Sequence, residues 1–114
     1  MAEEGNPVLL ERRGAVAMVT LNRPHVLNAM STAMGVRLGE VMGEIAEDAA
    51  VRVVVLTGAG ERAFCAGGDL KERRGMTPEQ WTRQHRIFER AHHRIRNLRK
   101  PIFAAVNGVA AGGG

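Results

Sequence analysis

Two glycine-rich stretches hold the residues whose types and spacing could carry out chemistry. The first reads "TGAGERAFCAGGD" and ends at Asp69, and the second reads "NGVAAGGG" and ends at Gly114. Glycine lets a backbone N–H group approach a ligand with no side chain in the way. N–H groups at the start of a helix lack an intrahelical acceptor and lie at its positive end, so they stabilise negative oxygen. Two such loops that open helices and converge would form an anion site.

Two kinds of anion fit such a site. Phosphate is the weaker candidate, because neither loop contains the GxxxxGK[ST] spacing or a well-placed GxGxxG. The other candidate is the oxyanion that develops at a carbonyl, for which each N–H donor contributes about 3 kcal/mol in the transition state. The alternative is that the glycines only permit tight strand-to-helix turns and close packing. The loop residues by themselves leave both interpretations open.

Other reactive side chains give weaker patterns. Cys65 and His85 could form a nucleophile and a base, but no third residue supports them, and an inert thiol is favoured. His85, His92 and His93 lack the carboxylate that would complete a metal site, so we expect solvated or core-edge histidines and no metal. Asp69 precedes "LKER" and is predicted to cap a helix.

Residues 83–100 carry seven Arg and Lys against one acid, Glu89. A solvated helix face is the favoured interpretation, and the alternatives are attraction to nucleic acid, to an anionic membrane or to a phosphate-bearing small molecule. Glu89 could be an active-site carboxylate, but four-residue spacing favours a side-chain partner for His85 and His93.

Composition indicates a globular protein. The 114 residues are 45% hydrophobic and 25% charged, which predicts one domain over residues 1–114 with a single core. The single cysteine excludes an internal disulfide and favours a reducing compartment. The start "MAEEGNP" carries acids where a targeting peptide carries bases, and no run approaches the ~18 apolar residues of a membrane span. We therefore expect a cytoplasmic protein.

The first half of the chain predicts a hairpin, a helix and a buried strand. Residues 8–12 and 15–21 form strands around a turn at Gly14, and Ser31 caps a helix over residues 32–47 with an apolar stripe. The β-branched run "VRVVVLTG" predicts a strand that is covered on both faces and ends at Gly58.

The second half adds a helix and a strand. Thr77, Pro78 and Gln80 form a helix-start pattern, and Pro101 ends that helix. A strand over residues 102–108 follows. This order predicts an α/β fold with right-handed crossovers, in which the loops at the strand carboxyl ends carry function. The second helix has an apolar face that is expected to lie in the core: Trp81, Phe88, Ala91, Ile95 and Leu98.

Three segments, "VAMVTLNRPHVLNAM", "VRVVVLTGAGERAFCAGGDLKE" and "KPIFAAVNGVAAGGG", resemble the crotonase superfamily, the enoyl-CoA hydratase/isomerase family, in order and spacing. The resemblance implies an α/β fold, a crotonase-like spiral of ββα units. The sequence would be its N-terminal part, truncated before the C-terminal helices that assemble homotrimers and hexamers.

The resemblance also implies site residues. The oxyanion-hole N–H groups would come from Gly68 and Gly113, and Arg23 and Lys71 could attract the phosphates of coenzyme A. The positions that match the family's coenzyme A contacts are Val26, Ala29, Ala66, Gly68, Asp69 and Leu70.

The activity implied is that of an enoyl-CoA hydratase, a lyase of fatty acid metabolism that adds water to a 2-enoyl-CoA. Its substrate is a coenzyme A thioester, and no cofactor is bound permanently. The family's two catalytic glutamates follow the glycine triplet at positions that this sequence does not include, so we expect the 114-residue chain alone to be inactive. The alternatives are an isomerase, a dehalogenase or a CoA lyase, or a catalytically silent chain that binds RNA or protein.

Overall fold

The main sheet has four strands, and the computed structural model describes residues 5–114. The acidic residues used in the targeting prediction, Glu3 and Glu4, lie outside this range. The elements are β1 (Val8–Arg13), β2 (Val16–Leu21), a 3-10 turn (Pro24–Val26), α1 (Thr32–Glu47), β3 (Val53–Gly58), β4 (Ala63–Cys65), α2 (Leu70–Arg73), α3 (Pro78–Arg96), β5 (Ile102–Ala105) and β6 (Val109–Ala110). In the main sheet, β1 is antiparallel to β2, while β2, β3 and β5 are parallel, in the spatial order β1-β2-β3-β5. A second, two-stranded sheet pairs β4 with β6.

The hairpin and the parallel crossover are confirmed. Gly14 turns the chain between β1 and β2 with φ of +61°, a conformation that glycine adopts without steric cost. Val19 on β2 lies opposite Leu56 on β3, and both side chains are buried beneath the helical layer. The prediction that β3 is covered on both faces is only half met, because its alternate residues are only partly buried: Val53, Val55 and Thr57.

Helix α1 has the predicted bounds and supplies much of the core. The Ser31 hydroxyl accepts a hydrogen bond from the Met34 N–H at 3.1 Å and so caps the first turn. At the other end, the Lys100 ammonium donates to the carbonyl oxygens of Ile45 and Asp48, both at 2.6 Å. The buried apolar residues of α1 recur every three or four positions: Met34, Leu38, Val41, Met42 and Ile45.

Helix α3 runs alongside α1 and begins with the predicted capping box between Thr77 and Gln80. Phe88 is buried, and its ring lies so close to Gly35 of α1 that a Cβ built on Gly35 would be 2.6 Å from it. The core prediction for Trp81 is wrong. Its side chain is 48% exposed and stacks on His85, because α1 begins opposite Gln84 and Trp81 lies one turn beyond that point.

The predicted strand over residues 102–108 is interrupted. Strand β5 ends at Ala105, and the chain then turns at Asn107, whose side-chain amide donates to the carbonyl oxygens of Gly60 (2.9 Å) and Ala63 (3.1 Å). Its Oδ1 atom accepts from the Gly58 N–H at 3.2 Å. These bonds direct β6 toward β4 rather than along the main sheet. Within residues 5–114, no helix has the length and apolar character that crossing a membrane requires.

Candidate active site

The two glycine-rich loops meet through the small sheet. Strands β4 and β6 pair in parallel, and the Ala111 N–H donates to the Cys65 carbonyl at 3.1 Å just beyond that pairing. Gly67 has φ of +102°, and a Cβ built on it would lie 3.0 Å from the Ala111 carbonyl oxygen. The Cα atom of Gly67 is also 3.6 Å from the position of a Cβ built on Gly112. The residues that precede Gly68 and Gly113 are therefore in direct contact.

Among residues 5–114, the backbone N–H groups of Gly68 and Gly113 donate to no backbone acceptor. Gly68 is held on both sides, because Met30 N–H donates to the Gly67 carbonyl (2.7 Å) and Asp69 N–H donates to the Met30 carbonyl (3.0 Å). Gly113 lies in a turn that is closed by the bond from Gly114 N–H to the Ala111 carbonyl at 2.8 Å. Both donors thus lie in anchored backbone and are available to a ligand.

At Gly68, the helical contribution is smaller than the sequence predicts. Only one turn of helix, α2, follows Gly68, and the residues after β6 form a turn. A single turn aligns few peptide dipoles, so little of the favourable potential at Gly68 comes from a helix. At Gly68, the fixed loop backbone rather than a long helix positions the N–H group.

Asp69 caps α2 as predicted. Its Oδ1 atom accepts from the Glu72 N–H at 3.1 Å, and its Oδ2 atom is 3.2 Å from Nη1 of Arg23. Arg23 is only 5% exposed and also donates to the Ala29 carbonyl at 2.6 Å. The buried Arg23 therefore links two loops and is poorly placed to attract phosphates from solvent, whereas Lys71 is exposed.

The positions that match coenzyme A contacts come from two loops that touch. The Ala66 N–H donates to the Leu27 carbonyl at 3.0 Å, which joins the first glycine loop to the segment between β2 and α1. Val26 and Leu70 have exposed side chains, and Ala29 and Ala66 are half-buried. The structure thus brings these residues to neighbouring positions, and their role in binding stays a prediction.

Asn28 organises this region and was missed by sequence reasoning. It is fully buried with φ of +55°. Its amide donates to the carbonyl oxygens of Ala59 (3.1 Å) and Ala63 (3.0 Å), and its Oδ1 atom accepts from the Arg23 N–H at 2.7 Å. The signal in the sequence was an Asn after a proline turn, at a position where a left-handed conformation suits Asn.

One face of α3 supports both glycine loops through Gln84 and His92, which lie two helical turns apart. Gln84 is 2% exposed; its amide donates to Thr32 Oγ1 (3.0 Å) and Glu72 Oε1 (2.9 Å), and its Oε1 atom accepts from Arg73 Nε (3.0 Å). Two turns further on, His92 Nε2 is 3.0 Å from the Gly113 carbonyl.

The second ring nitrogen of His92 is also engaged. His92 Nδ1 is 2.8 Å from the Phe88 carbonyl oxygen. Carbonyl oxygens only accept hydrogen bonds, so each contact requires a hydrogen on the ring nitrogen, and both are formed together when the ring carries two N–H groups. The ring of His92 also lies 3.6 Å from the position of a Cβ built on Gly113.

The remaining candidates have structural surroundings. Cys65 is buried, and this burial raises the pKa of its thiol, partly offset by the hydrogen bond with Gly67. His85 lies 3.7 Å from Glu89 at the surface, as predicted, whereas His93 Nδ1 lies 3.2 Å from Asn97 Nδ2 and His93 is not paired with Glu89. Among residues 5–114 there is no group of three His, Cys, Asp or Glu side chains that could hold a metal ion.

Two residues of the basic stretch bond to backbone carbonyls of α1, and of these only Lys100 is partly buried. Arg94 donates to the Gly39 carbonyl at 2.5 Å, and Lys100 holds the end of α1. The other five basic residues are exposed, as a solvated face predicts: Arg83, Arg86, Arg90, Arg96 and Arg99.

Comparison with known proteins gives a consistent result. A family model described as enoyl-CoA hydratase/isomerase matches residues 11–114. A short-chain-enoyl-CoA hydratase from Clostridium acetobutylicum is 43% identical over 111 residues. A 1,2-epoxyphenylacetyl-CoA isomerase from Escherichia coli is 41% identical over 103 residues. The crystal structure of an enoyl-CoA hydratase from Bacillus anthracis superposes with a TM-score of 0.90 at 40% identity.

The matches cover nearly all of this chain and less than half of each relative. The shares of this chain and of the relative are 97% and 42% for the Clostridium protein, and 87% and 39% for the Escherichia coli protein. For the Bacillus structure they are 95% and 42%. The chain therefore spans about two-fifths of the length of the relatives that it matches.

Proposed function

The chain belongs to the enoyl-CoA hydratase/isomerase family and has the crotonase fold over the region matched, and we propose from this that the full-length protein is an enoyl-CoA hydratase acting on a coenzyme A thioester. In this proposal, the thioester carbonyl oxygen accepts hydrogen bonds from the N–H groups of Gly68 and Gly113. Water then adds across the 2-enoyl double bond.

The observation that carries the proposal is the pair of unengaged N–H donors at Gly68 and Gly113, in loops that contact each other through Gly67 and residues 111–112. Addition of water at the β-carbon sends negative charge onto the thioester oxygen, which becomes an enolate oxygen. Donors fixed before the reaction stabilise that charge without reorganising, and each contributes about 3 kcal/mol. Glycine at both positions means that neither donor is blocked by a side chain of its own residue.

Coenzyme A would lie along the two joined loops at Val26, Ala29, Ala66, Asp69 and Leu70. Exposed Lys71 is available to the phosphates, whereas Arg23 is held by Asp69. Proton transfer would be carried out by the two glutamates that the family resemblance implies, within hydrogen-bond reach of the water and the substrate carbon. The resident residues described above bind and polarise the thioester.

An isomerase is the second candidate, because the Escherichia coli relative is named as an isomerase of a CoA thioester at almost the same identity as the hydratase. Stabilisation of an enolate oxygen serves both reactions. The two activities differ in whether a proton is moved within the substrate or water is added to it.

A matched pair of substitutions at Gly113 tests the oxyanion role. Gly113→Pro removes the N–H group, while Gly113→Ala keeps it and adds a Cβ at ordinary contact distance, 3.6 Å from His92. In the full-length protein, we expect Gly113→Pro to lower kcat for crotonyl-CoA hydration by about 100-fold to 1,000-fold and Gly113→Ala to change it little.

Equal activity of the proline variant and the wild type would contradict the oxyanion role. Thermal unfolding of both variants monitors folding. If the proline variant does not fold, the vibrational frequency of a bound thioester carbonyl in the wild type decides instead. A hydrogen-bonded carbonyl is expected to shift to lower frequency on binding, and an unshifted band would refute the proposal. A hydration product distinguishes the hydratase from the isomerase.

A further inference from the structure

The guanidinium of Arg73 lies directly against Gly68, and we propose that it selects substrates whose acyl group carries a carboxylate. This inference rests on the proposed function, because it names the substrate class for the same thioester site. The chemical class is a short dicarboxylic acyl-CoA, bound by the thioester oxygen at Gly68 and by its free carboxylate at Arg73.

The position of the guanidinium is the first observation. A Cβ built on Gly68 would lie 2.6 Å from Cζ, 2.6 Å from Nη2 and 2.8 Å from Nη1 of Arg73. No real Cβ tolerates such distances, so the guanidinium occupies the space that a side chain at position 68 would fill. Glycine at this position therefore places a cation beside the proposed oxyanion donor.

The guanidinium is also held in place. Arg73 Nε donates to Gln84 Oε1 at 3.0 Å, and the ring of Phe88 lies 5.8 Å below Cζ. Gln84 is buried and is itself fixed by Thr32 and Glu72. A planar fork that is fixed before binding loses less conformational entropy when it forms hydrogen bonds.

The two terminal nitrogens of the Arg73 guanidinium are not engaged by the described part of the chain. Neither Nη1 nor Nη2 of Arg73 donates to an acceptor among residues 5–114. The nearby acids are engaged elsewhere, since Glu72 accepts from Thr32 and Gln84, and Asp69 accepts from Arg23 and caps α2. Two parallel N–H donors of a half-buried arginine match the two oxygens of a carboxylate.

The charge balance favours a carboxylate over a neutral acyl chain. An apolar acyl tail next to Gly68 would contact a guanidinium whose terminal N–H groups then lose water without gaining an acceptor, which is unfavourable. A carboxylate supplies both acceptors and the opposite charge. A site whose buried polar groups must be paired typically rejects a substrate that lacks the matching group more strongly than an apolar pocket rejects a substrate that differs by one methylene.

Two saturated thioesters of equal chain length test the proposal: glutaryl-CoA, which carries a distal carboxylate, and pentanoyl-CoA, which does not. Calorimetric titration of the full-length protein is expected to give at least 10-fold tighter binding of glutaryl-CoA. Arg73→Met keeps an unbranched stem beside Phe88 and removes the charge. This variant is expected to lose the preference, because glutaryl-CoA binds more weakly while pentanoyl-CoA binds at least as tightly as it does to the wild type.

Gly68→Ala supplies a second, independent variant. The methyl group of alanine would lie where the Arg73 guanidinium now lies and would displace it. The variant should therefore also have a reduced preference for glutaryl-CoA, although Arg73 is still present. Equal binding of the two thioesters by the wild type would overturn the proposal while leaving the proposed function intact. Equal weakening of both thioesters by Arg73→Met would assign Arg73 a purely structural role. If neither thioester binds the wild type, both the proposed function and this inference fail.

Discussion

Replacement of Asn28 by alanine should destabilise the protein strongly, because one buried side chain joins three backbone segments. The substitution removes the bonds to the carbonyl oxygens of Ala59 and Ala63 and the bond from the Arg23 N–H. The Ala63 carbonyl keeps a second donor in Asn107, whereas the Ala59 carbonyl and the Arg23 N–H lose this partner.

The magnitude follows from these contacts. Each lost hydrogen bond costs about 1 kcal/mol when a buried partner is left behind. Alanine at a φ of +55° adds about 1 kcal/mol, since only Gly, Asn and Asp adopt the left-handed region easily. The expected loss is thus about 3 to 4 kcal/mol, a large part of the 5 to 15 kcal/mol typical of a domain.

Urea unfolding of the full-length protein, with Asn28→Gly as the matched control, measures this loss. Glycine removes the same three hydrogen bonds but tolerates the positive φ, so Asn28→Ala should be less stable than Asn28→Gly by about 1 kcal/mol. A free energy of unfolding for Asn28→Ala within 1 kcal/mol of wild type would refute the role given to these bonds. An Asn28→Gly variant as stable as the wild type would attribute the whole effect to backbone conformation.

Three further changes have defined outcomes. Burial raises the pKa of Cys65, so the folded protein holds less of the reactive thiolate at neutral pH than a free thiol does. Labelling of Cys65 by iodoacetamide should therefore be slow at neutral pH, and its rate should rise only at a higher pH than for a free thiol. Rapid labelling at pH 7 would contradict this. Glu89→Gln should leave turnover unchanged, because Glu89 is an exposed partner of His85; a 10-fold fall in kcat would make it catalytic. Lys100→Met should lower the free energy of unfolding in urea by about 1 to 2 kcal/mol, because two hydrogen bonds to carbonyl oxygens at the end of α1 are lost. The control Arg99→Met, at an exposed residue, should leave the stability unchanged. Equal effects of the two substitutions would show that Lys100 does not stabilise the end of α1.

The 114-residue chain expressed alone should self-associate, since three large apolar side chains in β5, in β6 and between them are more than half exposed: Phe103, Val106 and Val109. Sedimentation that shows a monodisperse, cooperatively unfolding monomer would contradict this expectation.

Local patterns were sufficient for the long elements. Helix α1 was predicted with its correct first and last residues, because Ser31 offers a cap and the apolar residues recur over four turns. Strands β4 and β6 were missed, since three and two residues are too few to show a period. Their existence depends on Asn107, whose bonds to Gly60 and Ala63 connect residues more than 40 positions apart.

The burial errors have the same origin. Trp81 shares the apolar stripe of α3, but a stripe does not reveal where the neighbouring helix begins. Gln84, a polar residue on that stripe, is buried instead because Thr32, Glu72 and Arg73 satisfy its amide. Pairing of this kind depends on three separate segments and leaves no local signal.

The candidate site shows the same division between local and long-range information. That Gly68 and Gly113 can present bare N–H groups follows from residue type alone. Helix α3 adds long-range supports to the loop backbone: Gln84 holds Arg73 over Gly68, and His92, eight residues later, bonds to the Gly113 carbonyl. Because these two residues lie two turns apart on one rigid helix, a shift of α3 would move the supports of both glycine loops together. The position of both glycine loops is therefore coupled to the packing of α3 on α1.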